Sequence, residues 1–255
     1  MRTAYYYQTT KSLQHLWDLN LEDLIIYLSS IHFGRINNVA YIHLNDQSAD
    51  AQVHIWEEMN LAHLKGNKIR LMIGGAGGAF QALFSDFEIY YSLLKSTIDK
   101  FSCIDGIDLD VEETCTLGDI KMLIDRLISD FGLQFNITLS PTFENLTSSS
   151  TPFSYAELLR SESGSHIRWL NVQCYNNIDH NTIDCLLKNG FVQDELAITM
   201  LGNNYDTKQY LLNIYPLLSN FINKYTSLQG FVLWEYGDSK LNPGLWGATI
   251  KCLLV

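Results

Sequence analysis

Proline is scarce, four residues in 255, and no Pro/Gly-rich stretch, charge block or low-complexity tract interrupts the chain. Nothing marks a linker, so residues 1–255 read as one domain long enough to bury a large core. No apolar run approaches the roughly 20 residues that span a bilayer as a helix. Basic residues are few: 17 Lys and Arg stand against 28 Asp and Glu, a formal charge of −11, with no Lys/Arg cluster along the sequence. Such a surface repels phosphate, which excludes nucleic acid and anionic membrane as partners but leaves a neutral substrate open. The five cysteines are odd in number and form no CxxC pair, so reduced thiols are expected rather than a disulfide framework or a zinc site. Seven histidines share no ligand spacing, and no metal or cofactor is expected. The start of the chain lacks the charged, apolar and small-residue regions of a secretory signal. The expected location is therefore cytoplasmic or reached by a non-classical route, or outside the cell if the chain is a processed form. A dinucleotide-binding GxGxxG turn is missing after the first strand, where Gln8-Thr9-Thr10-Lys11 stands instead. Gly74-Gly75-Ala76-Gly77-Gly78 is followed by no lysine and is not a phosphate loop.

What the chain does have is a beat. Short β-rich segments recur at about one-eighth of its length, each followed by a helical pattern. The predicted strands are Thr3–Gln8, Asn38–Leu44, Lys68–Gly74, Gly106–Glu112, Gln134–Ser140, Arg168–Tyr175, Leu196–Leu201 and Gly230–Trp234. Amphipathic stretches such as Ser85–Phe101, Asp119–Phe131 and Asp206–Tyr225 lie between them. Gly66, Gly132 and Gly190 stand where helix C-caps belong, and Asp206 with Gln209 has capping-box spacing. Strands alternating with helices run parallel, and eight such units close a (β/α)8 TIM barrel; an open doubly wound sheet is the alternative. In a barrel the chemistry belongs at the C-terminal strand ends.

The most unusual segment is Asp105-Gly106-Ile107-Asp108-Leu109-Asp110-Val111-Glu112. At two residues per repeat, Asp108, Asp110 and Glu112 share one face and Ile107, Leu109 and Val111 the other. In a closed parallel barrel the apolar face meets helices and the acidic face enters the lumen. With no Lys or Arg in the segment, burial and mutual repulsion keep protons on the carboxyls, and Glu112 at the mouth becomes a general acid. A solvated edge strand and a divalent-metal site are the competing readings; no residue at another strand end completes a metal site.

These eight residues match in full the DGxDxDxE signature of glycoside hydrolase family 18, and the chain resembles that family along most of its length. Lys68–Gly75 (KIRLMIGG) is similar to the family's third-strand segment, Gln173-Cys174-Tyr175-Asn176 to its QxYN motif, and Gly230–Trp234 to its eighth-strand segment ending in tryptophan. The resemblance implies a single barrel and substrate-assisted, retaining hydrolysis of β-1,4 bonds beside N-acetylglucosamine, for which no cofactor is needed. By the same resemblance Glu112 is the general acid/base, Asp110 orients the acetamido group, Asp108 shares a proton with Asp110, and Tyr175 donates to the acetamido oxygen. Gln173 and Asn176 lie beside it, Trp234 floors the sugar subsite, and Tyr5 is the first-strand tyrosine supporting the acidic strand. Met72 stands where the family has a serine that helps hold Asp108. The short interval between strands seven and eight leaves no room for the family's α+β insertion, so an open groove is expected. The partner implied is an N-acetylglucosamine-containing oligo- or polysaccharide, bound by a monomer. Chitinase is the first reading, an endo-β-N-acetylglucosaminidase acting on N-glycan cores the second, and a non-hydrolytic chitin-oligosaccharide lectin the third.

Overall fold

The described residues form ten strands: β1 (Arg2–Tyr7), β2 (Ile25–Ile36), β3 (Val39–Leu44), β4 (Gln47–Ser48), β5 (Lys68–Gly74), β6 (Ile104–Asp110), β7 (Asn136–Leu139), β8 (Ile167–Gln173), β9 (Leu196–Leu201) and β10 (Gly230–Trp234). The computed structural model describes residues 1–255 apart from Thr10, Glu22, Ser149, Ser150, Asn176, Tyr205 and Val255. The sheet runs β1-β10-β9-β8-β7-β6-β5-β2, and β2 pairs back onto β1. Those eight strands are all parallel to their neighbours and close an eight-stranded (β/α)8 TIM barrel.

The second barrel strand differs from the sequence expectation. It is the first part of β2, beginning Ile25-Ile26-Tyr27-Leu28, and not Asn38–Leu44. Ile25 to Leu28 are buried on both faces, as a strand between helices and lumen must be, and so show no alternation. Asn38–Leu44 lies outside the ring, mostly exposed or half-buried. Its residues from Val39 on form β3, which pairs antiparallel with the distal half of β2. The turn between them is Asn37-Asn38, with φ of 50° and 63°, the left-handed pair that a tight hairpin requires.

The helices follow their caps. Leu117–Phe131 starts at a reciprocal Thr116–Asp119 box and ends at Gly132, whose φ is 81°. Gly66 and Gly190, also left-handed, close two other helices. The expected Asp206–Gln209 box is formed, each side chain accepting from the other residue's backbone N–H at 2.9 and 3.0 Å. The helical path after it is interrupted. A π-helical turn, Tyr210–Ile214, precedes Tyr215–Lys224, where Pro216 removes a backbone donor. This single path joins β9 to β10, and no insertion domain separates them. The expected stretch Ser85–Phe101 is the single helix Phe87–Lys100, preceded by a separate short helix, Ala79–Ser85.

Gly106 shows how tightly the acidic strand is laid. A Cβ there would fall 2.3 Å from the carbonyl oxygen of Asn136 on β7. That contact is with backbone and cannot be relieved by a rotamer change. Gly106→Ala is expected to lower unfolding free energy in urea by about 2 kcal/mol, the usual scale for overpacking.

Candidate active site

The parity of β6 decides the site. Ile107 and Leu109 are fully buried against the helical layer, while Asp108 and Asp110 project into the lumen with Met72, Thr138 and Trp169 of the neighbouring strands. Glu112 lies just past the strand end, exposed on the rim of a cleft of about 320 Å³. The cleft is lined by Asp110, Glu112, Gln173, Tyr175 and Trp234, and also by Gln8, Ser30, His32, Met72 and the Gly74-Gly75-Ala76 turn. The glycine-rich loop is thus a close-packing wall, with Gly75 N–H donating to the Asp110 carbonyl at 2.9 Å.

Asp108 is inaccessible to solvent and its carboxylate accepts four hydrogen bonds. Thr138 Oγ1 and Asn171 Nδ2 donate to Oδ1 at 2.6 and 3.0 Å, and Tyr6 and Ser140 donate to Oδ2, the tyrosine at 2.7 Å. Burial pushes its pKa up, and the Ser140, Thr138 and Tyr6 hydroxyls and the Arg70 charge pull against that rise. Met72 sits level with Asp108 but contributes no bond; β1, β7 and β8 supply what the missing serine does not. Asp110 is served differently. Its side chain accepts one hydrogen bond, from Gln173 Nε2 at 2.8 Å, and that amide also donates to the Ser140 carbonyl at 2.7 Å. Burial, then the charges of Glu112 and Asp108, hold the Asp110 carboxyl well above the usual carboxylate range.

Glu112 has no hydrogen-bonded or ion-paired partner among the described residues. Its pKa is raised by partial burial and then by Glu113. Glu113 itself is occupied, accepting from the backbone N–H groups of Phe80 and Gln81 at the start of the helix Ala79–Ser85. The Tyr175 phenol, two residues beyond β8, lines the cleft, and burial, with Asp110 and Glu112 adding to it, pushes its pKa up, so the hydroxyl is available there as a donor. Trp234 closes the strand β10 with its ring centroid 5.1 Å from that of Tyr6. Asn176 lies outside the described residues.

Tyr5 is a correction. It faces the helical layer, donating to the Pro243 carbonyl and accepting from Gly247 N–H, both at 2.9 Å. Tyr6 is the first-strand tyrosine in the lumen, stacked on Tyr27 at 4.9 Å. Three consecutive tyrosines leave strand parity undetermined, and a one-residue shift turns every side chain to the other face. Thr138, Ser140 and Asn171 were also missed. Their signal was present: Thr138 and Ser140 alternate with Ile137 and Leu139, and Asn171 and Gln173 with Leu170 and Val172, the same inward-polar pattern as the acidic strand.

Among the described residues, no group of three or more His, Cys, Asp or Glu could hold a metal ion, and no helix is long and apolar enough to cross a membrane. The arrangement is one of a proton-retaining carboxyl beneath an unpaired carboxyl at a cleft mouth, with a phenol donor and an indole face beside it.

A fungal endo-β-N-acetylglucosaminidase from glycosyl hydrolase family 18 superposes with a TM-score of 0.83 at 28% identity, over 100% of this chain and 98% of that one. The chitinase ChiC of Aspergillus fumigatus superposes with a TM-score of 0.82 at 27% identity, over 100% and 99%. This chain is a full-length structural homologue of the family 18 chitinases and endo-β-N-acetylglucosaminidases. The barrel is also that of a family 18 chitinase from Pseudoalteromonas aurantia, with a TM-score of 0.76 at 21% identity over 100% of both chains. No family model and no curated protein matches the sequence.

The raised pKa of Asp110 has a consequence for stability. The folded chain holds a proton there that the unfolded chain releases, so this contribution is fully present below the unfolded-state value of about 3.9 and is lost as pH rises through the folded-state value. Asp110→Asn cannot ionise. In urea unfolding it is expected to be more stable than the parent at pH 8, with the difference shrinking toward pH 4.

Proposed function

We propose that the chain is a retaining glycoside hydrolase that cleaves β-1,4 bonds next to N-acetylglucosamine, with the substrate's own acetamido group as nucleophile. Residues 1–255 form its catalytic barrel. The observation that carries this reading is the column Asp108–Asp110–Glu112, in which the outermost carboxyl is unpaired at the cleft and the middle one accepts a single amide hydrogen bond.

The sugar whose bond is cut stacks on Trp234, its apolar face against the indole. Its acetamido group lies between Tyr175 and Asp110. The Tyr175 hydroxyl donates to the acetamido oxygen and aims it at the anomeric carbon. Glu112 gives its proton to the glycosidic oxygen as that bond breaks, and the acetamido oxygen closes an oxazolinium ring whose N–H donates to Asp110, its positive charge facing the acidic column. Because four donors already occupy Asp108, the mobile proton of the pair belongs to Asp110, and Asp108 acts by its charge. Glu112, now a carboxylate, takes a proton from water, which attacks the same face and leaves the product with its original anomeric configuration. No third carboxyl is required.

The chitinase and endo-β-N-acetylglucosaminidase readings share this chemistry, and the near-equal likeness to one fungal member of each supports keeping both. Chitinase comes first on the Gln173–Tyr175 part of its motif. Product analysis with chitin oligomers and a high-mannose glycopeptide side by side separates them. In the same assay Glu112→Gln is expected to lower kcat by about 10²–10⁴-fold or more, the scale for loss of a general acid. Oligosaccharide affinity measured by calorimetry should stay within a few-fold of the parent. A parent chain that binds chitin oligomers or the glycopeptide and cleaves neither at any pH is a lectin, and the hydrolase reading is then wrong.

A further inference from the structure

The other end of the barrel carries the reverse charge. Ala4, Ile25 and Lys68 are level with one another across β1, β2 and β5. Arg2 and Arg70, each two residues from that level, therefore share its lumen side. Both guanidiniums stack on the same indole, 4.9 and 4.8 Å from the Trp169 ring centroid. Arg168, and Lys251 from the helix Pro243–Leu253, join them around a cavity of about 550 Å³. Five of the 17 Lys and Arg residues in a chain of charge −11 thus line one cavity. Among the described residues Asp23 is the single carboxylate lining it. None of these residues lines the acidic cleft.

The cluster is under-compensated. Among the described residues the side chains of Lys68 and Lys251 take part in no hydrogen bond or ion pair. Arg70 is 3% exposed and donates from Nη1 to the Tyr27 hydroxyl at 3.3 Å. Its Nε is ion-paired with Asp105 Oδ1 at 3.6 Å, too long for a hydrogen bond, and neither atom has a hydrogen-bond partner. A buried guanidinium with a spare donor, flanked by two free ammonium groups, is a poor arrangement for stability alone and a good one for meeting an oxyanion.

We propose that this cavity binds a small molecule bearing phosphate or clustered carboxylate groups. Its oxyanions meet Arg70, Lys68 and Lys251, and its less polar part lies against Leu24 and Ile25. The volume lies within the range of small-molecule sites. A ligand bound only to the folded chain raises its melting temperature in step with occupancy, so the test needs no catalytic activity. The full chain is titrated with inorganic phosphate, pyrophosphate and citrate at matched ionic strength near 0.15 M, where exposed charges are largely screened. One-to-one saturable heat and a matching rise in Tm with pyrophosphate, citrate or both are expected, and which of the two binds assigns the anion chemistry. The double variant Lys68→Ala/Lys251→Ala removes two exposed side chains and should fold normally; its affinity is expected to fall about tenfold or more. Arg70→Met is the second variant and should abolish binding while circular dichroism remains that of the parent. Absence of saturation with all three anions overturns the proposal, as does a double variant that binds as tightly as the parent.

Discussion

A carboxylate excluded from water inside a closed ring of strands survives only if the surrounding strands supply its solvation. Asp108 is that group, and the structure is organised around meeting the cost. Hydroxyls from Tyr6, Thr138 and Ser140 and an amide from Asn171 replace water, each bond to a charged acceptor contributing about 1.5–3 kcal/mol. Those donors come from β1, β7 and β8, so the cage exists only when the barrel has closed. Asp110, one pleat higher, receives a single amide, and the difference in hydrogen bonding separates two otherwise similar carboxyls. Burial raises both, but the lower has four donors to support a charge and the upper one, while Glu112 at the rim is unpaired.

The acidic strand, the eight-fold repeat and the C-terminal location of the cleft were legible in the sequence because they are written in local alternation and spacing. Residues that depend on closure were harder to read. Tyr6 lies in a run of three tyrosines where parity has no local marker, and only pairing with β2 and β10 fixes it. The second strand was hidden for a related reason: Ile25 to Leu28 are buried on both sides and carry no polar–apolar alternation. The Asn37-Asn38 turn was the available clue that these two segments form one hairpin. Helix ends were readable from glycines and boxes, but not the π turn before Pro216, which answers to a missing backbone donor and not to the apolar pattern.

The two ends of the lumen are electrostatic opposites, and neither the composition nor the linear order of Lys and Arg shows it. Arg2, Lys68, Arg70, Arg168 and Lys251 are scattered along the chain, and the barrel gathers them. The ends are also connected. Arg70 donates to Tyr27, Tyr27 stacks on Tyr6, and Tyr6 donates to Asp108, so the basic floor and the acidic column are joined by a short chain of buried contacts. The positive charge of Arg70 is one of the influences that hold the Asp108 pKa down against burial.

The central claim is that the column divides its protons unequally, with Asp110 as the holder. Carboxyl-carbon NMR titration of the full chain, with the Asp110 resonance assigned by its loss in Asp110→Asn, measures this directly. The account predicts that Asp110 titrates well above the ordinary aspartate range and that its midpoint falls when Glu112 is replaced by Gln. A midpoint at the ordinary value, unmoved by that replacement, would contradict it.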